Sequence, residues 1–363
     1  MSPNILLLGA SGYIGGSTLS TLLKTHPSWN ITALVRTESH ASTIKSAFPF
    51  PNLSTIIGSL ETPDILTTEA TKASIIIQLA NGDHEPGTDT LLAAIKSTAT
   101  PHSKKYYIHL SGAATVLDLS LPLGAPPSRT WNDTDDLHEI LKFPHSQIHA
   151  ALEQKIVSFG ARYAVQGVRT AIVSPPAVVG VGTGPIRRGA AYHVNLILGR
   201  GRGFVVGEGG NRFAIAHVGD VVGGILRLVE EAARGESSSS SSSALDSNEK
   251  ADWNGEGYYF LTSAWGNPSK AVYVEKVLAL LEKKAGLVQD GIDHLTGEEA
   301  AALHPFGPIM FGASLDIEGR RLGQKLGWRS SFENWEEAVE EEVDAELARV
   351  ARGEKLGTGF GRD

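Results

Sequence analysis

The stretch NILLLGASGYIGGS, Asn4 to Ser17, runs an apolar tetrad into Gly9 and then repeats glycine at Gly12 and Gly15. This spacing suits one kind of chemistry, the binding of a diphosphate. The first glycine lets the chain turn sharply off a strand, the second lets backbone amides approach a pyrophosphate, and the third lets the following helix pack close to the sheet. The free amides and positive dipole end of that helix then face the phosphates. Gly9, Ser11, Gly12, Tyr13, Ile14 and Gly15 are therefore the candidate dinucleotide-binding residues. Ile14, Leu19, Leu22 and Leu23 are spaced for one helix face, the context the motif requires. Where a second strand would end, the sequence reads ALVRTESH and places Arg36 at the tip. An arginine there accommodates a 2′-phosphate, which a carboxylate would repel, so the expected cofactor is NADP. NAD stays possible because Glu38, two residues on, could serve a ribose.

Groups able to move a proton gather later, in HSQIHAALEQKIVSFGARY. His145 and His149 are four apart, on one helical face ahead of Lys155. A histidine titrates near neutrality and could pass a proton, although half-exposed surface histidines are the simpler expectation. Glu153 alone beside them makes a poor metal site, and Asp133, Asp135 and Asp136 in WNDTDDLHE read as capping and loop residues, so no metal is expected. Arg187, Arg188, Arg200 and Arg202 could recognise phosphate or carboxylate, or could be solvated loop positions, with Tyr192 and His193 between them as candidate pocket residues.

The elements that must position these groups are legible as alternation. Strand candidates are Ile5–Leu8, Ile31–Val35, Leu53–Ile57, Ser74–Leu79, Tyr106–Leu110 and Val168–Val173, short and apolar without polar alternation, as in parallel strands buried on both faces. Helical patterns at Tyr13–Leu23, Thr88–Lys96 and Gln147–Arg162 separate them, which predicts an α/β, doubly wound parallel sheet. After Ser174 the chain becomes rich in glycine, proline and arginine, then resumes a strand–helix pair in RFAIAHVGDVVGGILRLVEEAA and a strand at Tyr258–Leu261. Helices are expected at Pro268–Lys284 and Phe332–Arg349, and the serine run Ser237–Ser243 within a flexible loop, 235–252. The division expected is a dinucleotide domain over 1–177 and 211–264, a smaller substrate lobe over 178–210 and 265–345, and a tail over 346–363.

The 363 residues are 41 % hydrophobic and 20 % charged, with a net charge of −8, so no global basic field would draw the chain to nucleic acid or anionic lipid. Without cysteine there are no disulfides, thiolate catalysis or cysteine-built zinc sites. No apolar run reaches the ~18 residues of a membrane span. A strand beginning within the first residues leaves no room for a leader, so a cytoplasmic protein is expected.

The glycine turn, IIIQLANGDH on the fourth strand, YYIHLSGAA on the fifth, RFAIAHVGDVV and the late LGW resemble the atypical and extended short-chain dehydrogenases/reductases. That group includes the NAD-dependent epimerase/dehydratase proteins and the NmrA-like redox regulators. The resemblance implies a Rossmann-type sheet with a smaller C-terminal substrate lobe. It implies that Leu79, Ala80 and Asn81 lie beside the cofactor's ribose and pyrophosphate, that Ser111 sits at the nicotinamide end, and that Pro175, Pro176 and Ala177 line the nicotinamide face. It also implies that Asp220 begins the helix after HVGD. The family's enzymes use Ser, Tyr and Lys, with Tyr-x-x-x-Lys on one helix. Here Lys155 is preceded four residues earlier by Ala151, and Tyr163 lies on the far side of the lysine. Two functions follow as expectations. One is an NADP(H)-dependent oxidoreductase moving a hydride to or from a carbonyl or alcohol of a small-molecule substrate, with Ser111, His145, His149 and Lys155 as its proton-handling set. The other is an NmrA-like sensor that binds the cofactor and a protein partner without catalysis. The oligomer is expected to be a monomer or homodimer.

Overall fold

A computed structural model describes residues 2–187, 192–238, 250–287 and 291–354. Seven parallel strands form the main sheet: β1 (Asn4–Leu8), β2 (Asn30–Val35), β3 (Leu53–Ile57), β4 (Ile75–Gln78), β5 (Lys105–Leu110), β6 (Val168–Ser174) and β7 (Tyr258–Phe260). Their spatial order is β7-β6-β5-β4-β1-β2-β3. In β1, Ile5 and Leu7 enter the core on one face while Leu6 and Leu8 enter the core on the other, which is why the strand shows no polar alternation. The order reverses between β1 and β4, which pair from Ile5 with Ile75 to Leu8 with Gln78. The crevice beyond the carboxyl ends of these two strands is where such sheets bind ligands.

Helix α1 (Tyr13–Thr25) buries Leu19, Leu22 and Leu23 on the first face, beside α2 (Glu38–Ala47). On the second face lie α3 (Pro63–Lys72), α4 (Glu85–Thr98) and α5 (Ala150–Tyr163), which buries Leu152, Ile156 and Val157 there. A third core forms outside the sheet. It joins α6 (Tyr192–Arg200), α8 (Lys270–Ala285) and α9 (Trp335–Ala351) around Phe204, Val277 and Val339. Helix α8 is fixed at both ends, by the Ser269 side chain accepting from Val272 N and by Gly286 in the left-handed conformation.

Some elements depart from the sequence-based expectation. The segment RFAIAHVGDVV adds no strand to the main sheet: Ile215–His217 pairs instead with Ala177–Val179, and α7 (Val218–Ser238) then packs on α1. The helix runs on to Ser238, past the expected loop start at 235, because Val221, Ile225, Leu228, Val229 and Ala232 keep a buried stripe going. The rest of the serine run lies outside the described residues. The expected tail also begins inside a helix, since α9 continues to Ala351 with Glu346 and Arg349 buried. Among the described residues no helix is long and apolar enough to cross a membrane.

Candidate functional site

The glycine turn is built as its spacing requires. Gly9 has φ +83, and a Cβ there would stand 2.5 Å from the Leu79 carbonyl oxygen. A Cβ on Gly15 would stand 2.1 Å from the Gly9 oxygen, so helix and turn touch backbone to backbone. Gly12 N donates to Gly9 O at 2.9 Å, and no side chain caps the start of α1. Amides of the first turn, around Tyr13 and Ile14, therefore face the crevice uncapped. Ser11 lies in the same turn, half-buried.

Leu79, Ala80 and Asn81 form the neighbouring wall. Gln78, a residue absent from the sequence-based set, fixes them: its Oε1 accepts from Ala80 N at 2.6 Å and its Nε2 donates to Asn81 O at 3.0 Å. A wholly buried glutamine at a strand end was the available signal. Arg36 is exposed at the tip of β2 and makes no hydrogen bond or ion pair with any described residue. Glu38 is drawn into the first turn of α2, where a carboxylate suits the helix dipole. An uncapped helix start and glycines at which a side chain would collide together fit a dinucleotide, and Arg36 stands unpaired beyond β2.

Ser111 directly follows the last residue of β5 and is half-buried. Its Oγ donates to Glu153 Oε1 at 2.6 Å. Glu153 is 2 % exposed, and it also accepts from Thr115 Oγ1 at 3.0 Å and from the Tyr258 hydroxyl at 3.2 Å. The Tyr258 hydroxyl lies equally close to Ser174 Oγ, at the end of β6. Burial pushes the Glu153 carboxyl up to about 7, against the hydroxyls that favour its charged form. Sequence reasoning weighed Glu153 only as a lone metal ligand. Its signal was its place on the apolar face of α5, between Leu152 and Ile156.

His149 stands one turn before Glu153. It adopts φ 66, uncommon for a residue with a side chain, and donates from or accepts at Nδ1 to Asp83 Oδ1 over 2.6 Å. That bond holds the Asp83 carboxyl below its usual range. The imidazole lies against Gly112, where a Cβ would come within 2.9 Å of Nε2. Asp83 and Gly112, the latter next to Ser111 in the chain, thus hold His149 at the rim of the same crevice. His109, by contrast, is buried and held neutral at about 4, bonded to Tyr107 OH and Gly82 O.

Lys155 and His145 are not brought to Ser111. Lys155 extends from the outer side of α5 to Glu85 at 2.6 Å and Asp89 at 2.7 Å, and Ala151, four residues earlier, is exposed on that side too. The pairing of Lys155 with the family's lysine position is corrected accordingly: a helix turns 100° per residue, and residues 151 and 155 sit opposite 149 and 153. His145 is exposed and meets Gln154. Pro175 and Pro176 are buried just after β6, with Pro175 O accepting from Ala113 N, and Ala177 is exposed beside them.

Other candidates serve the scaffold. Asp133 accepts from the backbone of Phe260, Arg320 and Arg321, and Asp220 from Ser263, Ser330 and Ser331. Arg200 and Arg202 both pair with Asp293. His193 is buried among Phe204, Tyr273 and Phe311, away from any mouth. Arg187 is exposed and donates from Nε to Gly182 O, while Arg188 and the Tyr192 side chain lie outside the described residues. Among the described residues no three His, Asp or Glu side chains converge as metal ligands. A groove of about 550 Å³ lined by Arg212, Trp265, Asn267 and Asp316 opens beyond the end of β7 and includes none of the candidate residues.

No family model matches the chain. It is 28 % identical over 340 residues to a protein described as oxidase ucsJ from an Acremonium species, covering 91 % of this chain and 93 % of that one. Among solved structures it is similar to the dTDP-glucose 4,6-dehydratase of Bacillus anthracis in complex with NAD, with 16 % identity, TM-score 0.65, and 96 % and 97 % of the two chains covered. It is also similar to the UDP-glucose 4-epimerase of Thermotoga maritima with UDP-glucose, at 14 % identity and TM-score 0.64 over 96 % and 99 % of the chains. The chain thus shares the fold of these dehydratase and epimerase structures, a Rossmann-type parallel sheet, as the motifs implied.

Proposed function

We propose that this chain is a nicotinamide-dinucleotide oxidoreductase, with NADP(H) preferred over NAD(H). It would interconvert a carbonyl and an alcohol on a small molecule. One observation carries the reading: Ser111, just past the strand that pairs with β4, donates to the buried Glu153 carboxyl, with the His149–Asp83 pair nearby. Similarity to an oxidase and to NAD-bound dehydratases supports the same class.

In this reading the amides of Tyr13 and Ile14 hold the pyrophosphate, Leu79–Asn81 border the ribose, and Arg36 receives the 2′-phosphate. The bound dinucleotide supplies or accepts the hydride. Ser111 binds the substrate oxygen by its hydroxyl, and Pro175–Ala177 exclude water from that side. His149 stands at the rim, oriented by Asp83. The core formed by α6, α8 and α9 belongs to the substrate lobe, 178–210 and 265–345. The reading includes a cytoplasmic site of action as a monomer or homodimer, with neither nucleic acid nor membrane as partner.

The test measures NADPH and NADH binding by calorimetry, then turnover with aldehydes, ketones and quinones. NADPH should bind more tightly, Arg36→Asp should reverse that order, and Ser111→Ala should abolish turnover while binding persists. A second reading has its own observation. Helix α5 presents Glu153, and no tyrosine, to Ser111, as suits an NmrA-like sensor. Tight NADPH binding with no turnover of any carbonyl would select it.

A further inference from the structure

We propose that Glu153 is the proton reservoir for Ser111, taking the place that a catalytic tyrosine leaves vacant; this rests on the oxidoreductase reading and deepens it. The geometry is specific. The carboxyl is walled off from solvent, and both of its oxygens meet hydroxyls: Ser111 and Tyr258 at Oε1, Thr115 at Oε2. Of these hydroxyls, Ser111 is the half-buried one, so it is the gate between the carboxyl and the crevice. Thr115, Tyr258 and Ser174 are buried and complete the cage from behind.

A buried carboxylate with three hydroxyl donors and no ion pair is an uncommon way to place a charge in a protein interior. Scaffolding alone could be met by a glutamine, whose oxygen accepts at one position and whose amide donates to a hydroxyl at the other, without the cost of desolvating a charge. What glutamine cannot do is carry a removable proton. When Glu153 is ionised, Ser111 donates to it across the 2.6 Å contact. When Glu153 is protonated, its O–H donates to Ser111 Oγ and the serine hydrogen turns outward to the substrate. The direction of one hydrogen bond therefore reports the protonation of the carboxyl.

The transfer balances. With a reduced dinucleotide bound to supply a hydride to the carbonyl carbon, Ser111 would give its proton to the carbonyl oxygen. Ser111 recovers its proton from Glu153, which becomes a carboxylate. The products are an alcohol and the oxidised dinucleotide, and Glu153 is reprotonated from water through Ser111 once the alcohol leaves. Oxidation runs the same steps in reverse. The groups that act on the carboxyl are His149 at the N-cap of its own helix, whose positive form favours the carboxylate, Tyr258 from β7, and the hydroxyls of Ser111 and Thr115 from the segment after β5; Ser174 at the end of β6 bonds Tyr258.

The experiment uses the full chain as wild type, Glu153→Gln, Glu153→Asp and Ser111→Ala. NADPH affinity is measured by calorimetry, and 9,10-phenanthrenequinone serves as the carbonyl probe from about pH 5 to about pH 9. In the reductive direction the wild-type kcat should fall as pH rises through about 7, where Glu153 loses its proton. Glu153→Gln should lower kcat by about 100-fold and flatten that limb, with KM and NADPH affinity unchanged, and Glu153→Asp should restore part of both. Infrared difference spectra give a readout independent of turnover. A protonated-carboxyl band should titrate near the same pH in the wild type, be missing in Glu153→Gln and shift in Ser111→Ala. A Gln variant with wild-type kcat and an unchanged pH limb overturns the relay, as does a spectrum with no titrating carboxyl assigned to Glu153. Failure of the wild type to bind NADPH overturns the oxidoreductase reading itself, and the relay with it.

Discussion

The hydroxyl of Tyr13 donates to the carbonyl oxygen of Gly180 across 2.7 Å, tying the first turn of α1 to the chain that leaves the sheet after β6. The same hydroxyl reaches Val179 O at 3.1 Å, and Thr183 N donates to Ser17 Oγ at 3.1 Å. Gly184 and Pro185 then press on Gly16, so residues 179–185 lie as a strap along α1. Tyr13→Phe should cost about 1–2 kcal/mol of stability in urea unfolding and speed amide exchange at Val181 and Gly182. Exchange rates equal to wild type would show that the hydroxyl does not hold the strap.

The glycines of the turn divide into two kinds. Gly15→Ala pushes a methyl to 2.1 Å from the Gly9 oxygen and should cost about 3 kcal/mol or more, read from the thermal or urea midpoint. A Cβ on Gly12 meets only Gly9 O, at 3.2 Å, and its backbone is in a region open to any residue. Gly12→Ala should therefore keep a folded protein with stability within about 1 kcal/mol while NADPH affinity drops at least about tenfold. A Gly12→Ala protein that binds NADPH at full strength would remove the pyrophosphate from this turn.

Lys155→Met tests a negative. The ammonium sits on the outer side of α5 between Glu85 and Asp89, which raise its pKa in an exposed setting. NADPH affinity and turnover should stay within about twofold of wild type. A large loss of turnover would place the lysine in the chemistry after all.

Glu342 gives a pH dependence of stability. Burial, then Glu346, pushes its carboxyl up to about 8, while in the unfolded chain it ionises in the ordinary range near 4.5. The folded state thus holds more protons than the unfolded state between these values, so stability falls as pH rises through that window. Glu342→Gln should flatten this slope and exceed the wild type above about pH 8 by on the order of 3 kcal/mol, measured as urea unfolding at several pH values. Parallel curves for the two proteins would refute a buried protonated Glu342.

The sheet was legible because β1 and β4 carry the short continuous apolar runs Ile5–Leu8 and Ile75–Ile77, as strands covered on both faces do. Helices α2 and α3 were not, since ESHASTIKSA and PDILTTEATK bury few apolar side chains, chiefly Ala41 and Ile44 in one and Leu66 and Ala70 in the other. The glycine turn could be read from types and spacing, because backbone sterics dictate the glycines. The proton-handling cluster could not. Which face of α5 meets Ser111 depends on the rotation of the helix on the sheet, so Lys155 and Glu153 exchanged roles once that rotation was known. Gln78 escaped notice because its value is two bonds to a loop, a contact with no periodicity.

The polypeptide departs from the sheet at Ser174 and returns to it as an edge strand only at Tyr258, pairing with Ile172 to Ser174. The layer built around α6 is thus partly nested inside the reading frame of the layer that it adjoins. A tag or a split point placed between Ser174 and Tyr258 would sever one unit and leave the other without its last strand, so neither half can be expressed as an uninterrupted fragment. Ribosomal synthesis meets the same order: the glycine turn emerges early, and Tyr258, which closes the cage on Glu153, arrives last.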